Sequence, residues 1–323
     1  MPYAIRIHET GGPEVLRWEE VEVGKPGPGE VLVRNSAVGL NFTDIYNRSG
    51  LYPIPLPATL GREGAGVVET VGSKVKDFKP GDRVAYVDPT GSYAEVLLRP
   101  AERLVKIPAG VGDQTAAAMM LKGMTAQFLL RRTYRVKKGD TILVHAAAGG
   151  VGQILCQWAR HLGVRVIGTV GSEAKVPLAK KAGCKHVLVT ARDKISERVK
   201  EITKGAGVPV VYDGVGKDTF MDSLDCLAPL GLMVTYGNAS GPVPAFSPTL
   251  LTQKGSLFIT RPTLGTYIAK REDLVRTARE LFAVVKKGAV KIAVNQTYPL
   301  REAAQAHRDL ESRKTTGSTI LLP

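Results

Sequence analysis

The stretch "HAAAGGVGQIL", His145 to Leu155, carries the residue types that hold phosphate. It follows the apolar run "TILVHA" and precedes a helical pattern, so its glycines stand at a strand-to-helix turn. Aligned on the dinucleotide fingerprint G-x-G-x-x-G, Gly149 and Gly152 fall on the second and third glycines, and Ala147 replaces the first. The second glycine lets the backbone approach a pyrophosphate; the third lets the helix pack closely on the strand. A phosphate there meets the N–H groups of Gly150, Val151 and Gly152 and the positive end of the helix dipole. Ala147 is acceptable provided the first turn needs no positive φ. The plainer alternative is a tight turn with no ligand.

The next strand bears on which dinucleotide would fit. Sites that favour NAD place an acidic residue at that strand's end, about 20 residues on, to hold the ribose 2′-hydroxyl. Here "RVIGTVGSEAK" puts Gly171 and Ser172 at that point, with Lys175 close behind, which suits a 2′-phosphate and therefore NADPH. Glu173 would repel that phosphate, so it is expected to point toward solvent or the helix N-terminus. Further on, "YGNASG" follows a predicted fifth strand, placing Gly237 and Asn238 at the sheet's carboxyl edge, where ligands bind in doubly wound sheets.

Three zones position these residues. Residues 1–122 hold short alternating runs such as "EVLVRNSAV", "GDRVAYV" and "SYAEVLLR" between Gly and Pro turns, predicting a β-rich barrel or sandwich. Residues 123–260 alternate apolar runs with helical stretches, predicting a parallel sheet with helices on both faces. Gly163 and Gly183 stand where left-handed glycines end helices. Residues 261–323 hold the amphipathic helix "REDLVRTARELFAVVKKG", a strand near "NQTYPL", a second helix and the closing strand "STILLP", and are read as a return to the first domain.

Bulk properties narrow the class. A chain of 323 residues, 44% hydrophobic and 23% charged, reads as two ordinary globular domains. No run approaches the roughly 18 apolar residues of a membrane span, and the N-terminus lacks the apolar core of a secretory signal. The odd number of widely spaced cysteines, Cys156, Cys184 and Cys226, fits a reducing compartment, so a cytoplasmic protein is expected. The net charge of +14 favours anionic ligands in general, but the basic residues are spread along the chain and no nucleic-acid motif accompanies them.

Over its whole length the chain resembles the zinc-free quinone oxidoreductases (zeta-crystallin-like) of the medium-chain dehydrogenase/reductase superfamily. The stretches that carry the likeness include "GPGEVLVR", "GLNFTDIYNRSGLYP", "LGREGAGVV", "LKGMTAQFLLR", "HAAAGGVG", "IGTVGS", "VVYDGVG", "GLMVTYGNASG" and "TRPTL". The resemblance implies an α/β fold in which a Rossmann doubly wound sheet is inserted into a GroES-like catalytic domain. It also implies a homodimer, paired through the Rossmann sheet edge near "SLFIT". Its members pass a hydride from NADPH to a quinone or conjugated carbonyl, so the closely related alternative is an enone or enal reductase. The alternative of another class is an NADPH-binding RNA-binding or crystallin-like structural protein.

Zinc-dependent relatives carry Cys and His where this chain has Asn41 and Arg62, neither of which supplies a good zinc ligand, so no metal is expected. The resemblance places Asn41, Tyr46 and Tyr52 beside the nicotinamide. Asn41 is expected to hold a cofactor hydroxyl or the carboxamide, and the tyrosines to stack on a planar acceptor or donate to its oxygen. Each tyrosine has a plainer alternative, a half-buried aromatic with its hydroxyl in water. Thr125 is sent toward the nicotinamide, or is only a helix-cap hydroxyl; Arg261 is assigned a phosphate or ribose contact. Gly171, Ser172, Lys175 and Arg313 match positions that hold the 2′-phosphate, while Thr190 stands where the family has a tyrosine.

Overall fold

Short strands separated by glycine and proline turns do fill the N-terminal third of the computed structural model, which describes residues 1–87 and 89–323. The strands β1 (Tyr3–Ile7), β2 (Arg17–Glu20) and β3 (Glu30–Leu40) lead into a helix, α1 (Phe42–Arg48). Then come β4 (Ala58–Thr59), β5 (Glu63–Val71), β6 (Arg83–Val87), β7 (Val96–Pro100), β8 (Leu104–Lys106), α2 (Asp113–Ala117) and α3 (Met120–Phe128). Strict alternation follows as β9 (Thr141–Val144), α4 (Gly150–His161), β10 (Arg165–Val170), α5 (Val176–Lys181), β11 (Cys184–Val189) and α6 (Ile195–Ile202). It continues through β12 (Val208–Asp213), α7 (Phe220–Asp225), β13 (Leu227–Thr235), α8 (Thr249–Gln253), β14 (Phe258–Thr260) and α9 (Leu264–Tyr267). The chain closes with α10 (Arg271–Lys286), β15 (Val294–Pro299), α11 (Ala303–Glu311) and β16 (Ser318–Leu322).

These elements form two units. The first comprises Met1–Met124, Ile268–Lys286 and Ile292–Pro323. Its main sheet runs β15-β16-β3-β5-β6-β8, with β7 also on β3, beside a small sheet β2-β1-β4. Along β3 burial alternates until Ala37, then stays complete through Leu40. Strand β3 therefore ends inside the unit, and α1 starts from a buried Asn41. Val31, Val33, Val68 and Tyr86 form one core; Ile5, Ile7, Leu40 and Leu321 belong to another.

The second unit, Thr125–Tyr267 with Lys287–Lys291, is a six-stranded parallel sheet ordered β11-β10-β9-β12-β13-β14. Counted from β9 that order is 3-2-1-4-5-6, the doubly wound arrangement, whose switch point lies between β9 and β12. Leu143, Ile167, Val211 and Met233 contribute to its core, each buried side chain worth about 1.5–3 kcal/mol of transfer free energy. Gly163 and Gly183 adopt φ of 78° and 101°, ending α4 and α5 as left-handed glycines. Cys156 and Cys184, distant in sequence, bring their sulfurs within 3.5 Å as buried free thiols.

The units change at Met124 and Tyr267 rather than after residues 122 and 260. Side-chain contacts explain the later second boundary: Tyr267 stacks on Phe128 at 4.4 Å and accepts a hydrogen bond from Thr133 at 2.8 Å. Lys287–Lys291 stays with the second unit because the Gln157 amide both donates to Lys291 O and accepts from Lys291 N–H, at 3.0 and 2.9 Å.

Candidate functional site

Strand β9 delivers the glycine turn to the carboxyl edge of the parallel sheet. The turn closes by a bond from Gly149 N–H to Ala146 O, 2.9 Å, while Ala147 N–H donates to Thr169 O on β10 at 2.9 Å. Gly149 caps α4, and Gln153 N–H donates to Gly149 O, so the N–H groups of Gly150, Val151 and Gly152 are the orphan donors of the first turn. A Cβ at Gly152 would lie 2.3 Å from Ala146 O, so only glycine lets the helix sit this close. At Gly149 it would lie 3.2 Å from the same oxygen. The left-handed residue is Ala146, φ 52°, not Ala147, which therefore needs no glycine. Ala147 is fully buried, and room for its methyl comes from Gly168 on β10, where an added Cβ would be 2.8 Å from Ala147 Cβ.

A buried polar network, which sequence reasoning missed, holds the turn to its neighbours. His145 Nδ1 lies 3.0 Å from Thr169 Oγ1, and Nε2 lies 3.0 Å from Ser223 Oγ. The Ser223 hydroxyl donates to Asp213 Oδ2 at 2.9 Å, so it must accept from His145; Nε2 then carries the proton and Nδ1 accepts from Thr169. Burial holds the His145 imidazole below the usual range, which keeps this neutral tautomer. Asp213 ends β12 and also accepts from Thr219 at 2.7 Å and from the N–H groups of Val215 and Gly216 at 2.7 and 3.1 Å. An acid closing the apolar run "VVYDG" at a carboxyl edge was the sequence signal available.

At the end of β10, Gly171 opens on free space, with nothing within 4 Å of an added Cβ. Ser172 precedes a 3-10 turn, Glu173–Lys175, and Glu173 reaches into solvent onto the Arg192 guanidinium rather than toward the helix N-terminus. Gly171, Ser172 and Lys175 thus cluster within the second unit. Arg313 belongs to the first, in the exposed turn after α11, with φ 59°. At the end of β13, Gly237 packs so closely that an added Cβ would be 2.3 Å from Gly214 O. Asn238 is buried beside it, and Arg261 Nη1 donates to Gly237 O and Thr235 Oγ1 at 3.1 and 3.2 Å.

In the first unit, Asn41 starts α1, and its backbone N–H donates to Asp44 Oδ2 at 2.9 Å, as in a capping box. The Asn41 amide donates to Glu63 Oε1 at 2.9 Å and to Gly39 O at 3.4 Å. Both amide protons are therefore directed inside the protein, and the carbonyl oxygen, which already accepts from the Asp44 N–H in the capping box, is the end with a lone pair left for a ligand. Glu63, fully buried, also takes the Lys122 ammonium at 2.7 Å and the Leu121 N–H at 2.6 Å. Gly39 makes room for it: an added Cβ would sit 2.4 Å from Glu63 Oε1. Tyr46 is buried, 8% exposed, and meets half-buried Tyr52 edge to face at 5.1 Å, so neither ring stands alone in water. Thr125, buried on α3, falls in the second unit. Among the described residues, no group of three or more His, Cys, Asp or Glu is placed to hold a metal ion.

Beneath α1 lies a second chain of polar groups. Arg48 Nη1 donates to His307 Nδ1 at 3.1 Å, which leaves Nε2–H to donate to the Tyr93 hydroxyl at 3.2 Å. That hydroxyl in turn donates to Asp44 Oδ2 at 2.9 Å, and Glu311 pairs with Arg48 at 2.6 Å. Burial pushes Asp44 up to about 7 and holds His307, also facing Arg48, down to about 3. The two carboxylates, Tyr93 and His307 were not singled out from the sequence, because their partners are set by tertiary packing.

Two family descriptions match the chain: Alcohol dehydrogenase GroES-like domain over residues 27–109, and Zinc-binding dehydrogenase over residues 150–282. With the doubly wound sheet they define a medium-chain dehydrogenase/reductase. Within that superfamily the chain belongs to the quinone oxidoreductase family. It is 53% identical to a quinone oxidoreductase of Pseudomonas aeruginosa, with 100% of both chains covered. It is 49% identical to a 2-haloacrylate reductase of a Burkholderia species, over 100% of this chain and 99% of that one. The crystal structure of Escherichia coli quinone oxidoreductase complexed with NADPH superposes with a TM-score of 0.96 at 48% identity, covering 99% of this chain and 100% of that chain.

Proposed function

We propose that this chain is an NADPH-dependent reductase of quinones that works without zinc. The observation that carries the reading is the open row of amides at Gly150, Val151 and Gly152, which Gly152 brings against the Ala146 carbonyl and which suits a pyrophosphate. Bound NADPH supplies the hydride. The second unit's residues bind it: the α4 amides hold the pyrophosphate, Gly171, Ser172 and Lys175 the 2′-phosphate, and Gly237, Asn238 and Arg261 the nicotinamide half. In the first unit, Asn41 orients by accepting a hydrogen bond through its carbonyl oxygen, and Tyr46 and Tyr52 offer aromatic faces and hydroxyls to a planar acceptor. Zinc has no role in this reading, since Asn41 spends its amide on Glu63 and Lys122 already neutralises that carboxylate.

A second reading, reduction of a conjugated C=C bond, is favoured by the 49% identity to a 2-haloacrylate reductase, and the same hydride delivery serves it. A homodimer fits the sheet edge at β14, where Phe258 is 59% exposed and Leu230, near it on β13, is 67% exposed. No helix among the described residues is long and apolar enough to cross a membrane; the free, buried cysteines Cys156, Cys184 and Cys226 support a reducing, cytoplasmic setting. Loss of NADPH absorbance with 1,4-benzoquinone or a naphthoquinone tests the activity. Absence of turnover in folded protein that binds NADPH refutes it, and product masses with quinone and enone separate the two readings.

A further inference from the structure

In a doubly wound sheet the ribose after the pyrophosphate lies at the carboxyl end of the second strand, here β10. Strand β11 ends level with it: Val170 is paired with Val189, and Thr190 N–H donates to Val170 O at 2.9 Å. The loop of residues 190–193 therefore stands beside Gly171 and Ser172, where Gly171 opens on free space. Arg192 lies on that loop. The Asp193 carboxylate, fixed by Val189 N–H at 2.7 Å, grips Arg192 Nε and Nη2 at 2.9 Å each. Only Nη1 is directed elsewhere, onto Glu173 of the turn that follows Ser172.

This arrangement aims a guanidinium at the ribose corner and parks it on an acid. Arg192 and Glu173 side chains are 59% and 64% exposed, and pairs in that much water hold weakly. A phosphate offers more charge and more acceptor oxygens to the same edge of the fork. We propose that Arg192 is a specificity-determining residue for the cofactor: Nη1 exchanges Glu173 for the 2′-phosphate, while Asp193 keeps the guanidinium in place. The Arg192–Glu173 pair then sets the preference between the phosphorylated and unphosphorylated dinucleotides. Arg192 masks the acid that would repel the phosphate and is itself available to bind it. The proposal rests on the NADPH reading above and adds to Lys175 a cation that sits on the same unit.

Calorimetric titration of the full chain with 2′,5′-ADP and with 5′-AMP, fragments differing by the 2′-phosphate, tests this. Arg192→Met is expected to weaken 2′,5′-ADP about ten- to fiftyfold more than 5′-AMP, the loss of one charge-assisted hydrogen bond. Arg192→Lys recovers part of that selectivity, and Glu173→Gln tightens 2′,5′-ADP about two- to fivefold as a repelling charge goes. If Arg192→Met weakens both fragments equally, or neither, the assignment is overturned: Arg192 then only anchors its loop or only faces solvent. The two levels separate cleanly. Wild-type protein that binds neither fragment nor NADPH sinks the cofactor reading, whereas a wild-type preference for 2′,5′-ADP that survives in Arg192→Met sinks the Arg192 assignment alone.

Discussion

Asp44 and His307 face the same Tyr93 hydroxyl, and burial moves them in opposite senses. Asp44 rises from 3.8 to about 7, so between these values the folded state holds a proton that the unfolded chain has released. Its contribution is full below pH 3.8 and is lost as pH rises through 7, so stability falls with pH. His307 drops from 6.5 to about 3, so between these values the unfolded chain holds the extra proton. Its contribution is full above pH 6.5 and is lost as pH falls through 3, so stability rises with pH. One proton corresponds to a slope of about 1.4 kcal/mol per pH unit, and the two slopes cancel between roughly pH 4 and 6.5. Removing either group exposes the other. Asp44→Asn should add a slope of about +1.4 kcal/mol per pH unit relative to the parent, and His307→Gln about −1.4, within a factor of two. Over 1.5 pH units that separates the variants by about 4 kcal/mol. Urea unfolding at pH 4.5, 5.25 and 6.0 measures it. Trp158→Phe as the parent leaves Trp18, on β2 of the same unit, as the only tryptophan reporter. Parallel pH profiles for both variants and the parent would refute the reasoning, since they would mean that neither group changes its proton affinity on folding.

Two further outcomes follow from the geometry. Gly152→Ala drives a Cβ to 2.3 Å from Ala146 O and should abolish detectable NADPH binding in calorimetry, whereas Ala146→Gly relieves a left-handed alanine and should leave the thermal midpoint equal or higher. Lys122→Met strands the buried Glu63 carboxylate and should cost about 3–5 kcal/mol in urea unfolding, while Glu63→Leu combined with Lys122→Met should regain most of it because no buried charge is left unpaired.

What the sequence revealed and what it hid divide along the range of the interactions. The strand–helix alternation of the second unit and the ends of two of its helices were legible because apolar period, the cap glycines Gly163 and Gly183 and the Gly149–Gly152 turn are all local signals. The role of Ala147 was open, because room for its methyl depends on Gly168 in the next strand and the positive φ falls one residue earlier, on Ala146. The polar networks were hidden. Asn41 meets Glu63 across 22 residues, His145 meets Ser223 across 78, and Tyr93 meets His307 across 214. No spacing rule links such pairs; only the packed sheet brings them together. Arg192 was passed over for a different reason: an arginine in a charged loop reads as solvated, and its meaning comes from the register of β10 with β11.

The fate of the Asn41 protons constrains the chemistry more tightly than the likeness to any relative. A carbonyl that receives a hydride needs a donor for its developing oxyanion. With both amide hydrogens held by Glu63 and Gly39, Asn41 cannot be that donor. Under the proposed function its oxygen would accept from a ribose hydroxyl or the N–H of a carboxamide, and Asn41 would be a positioning group. Donation to the substrate oxygen would then fall to a hydroxyl of the first unit, Tyr46 or Tyr52. The Glu63–Lys122 pair enforces this division, because a flipped amide would set its oxygen against a carboxylate that now lies 2.9 Å from the nitrogen. A buried ion pair is poor value as a source of stability, yet it serves well for fixing which end of an amide faces a ligand. In this chain the charges at Glu63 and Lys122 thus act on polarity, while the unit's apolar clusters supply its buried surface.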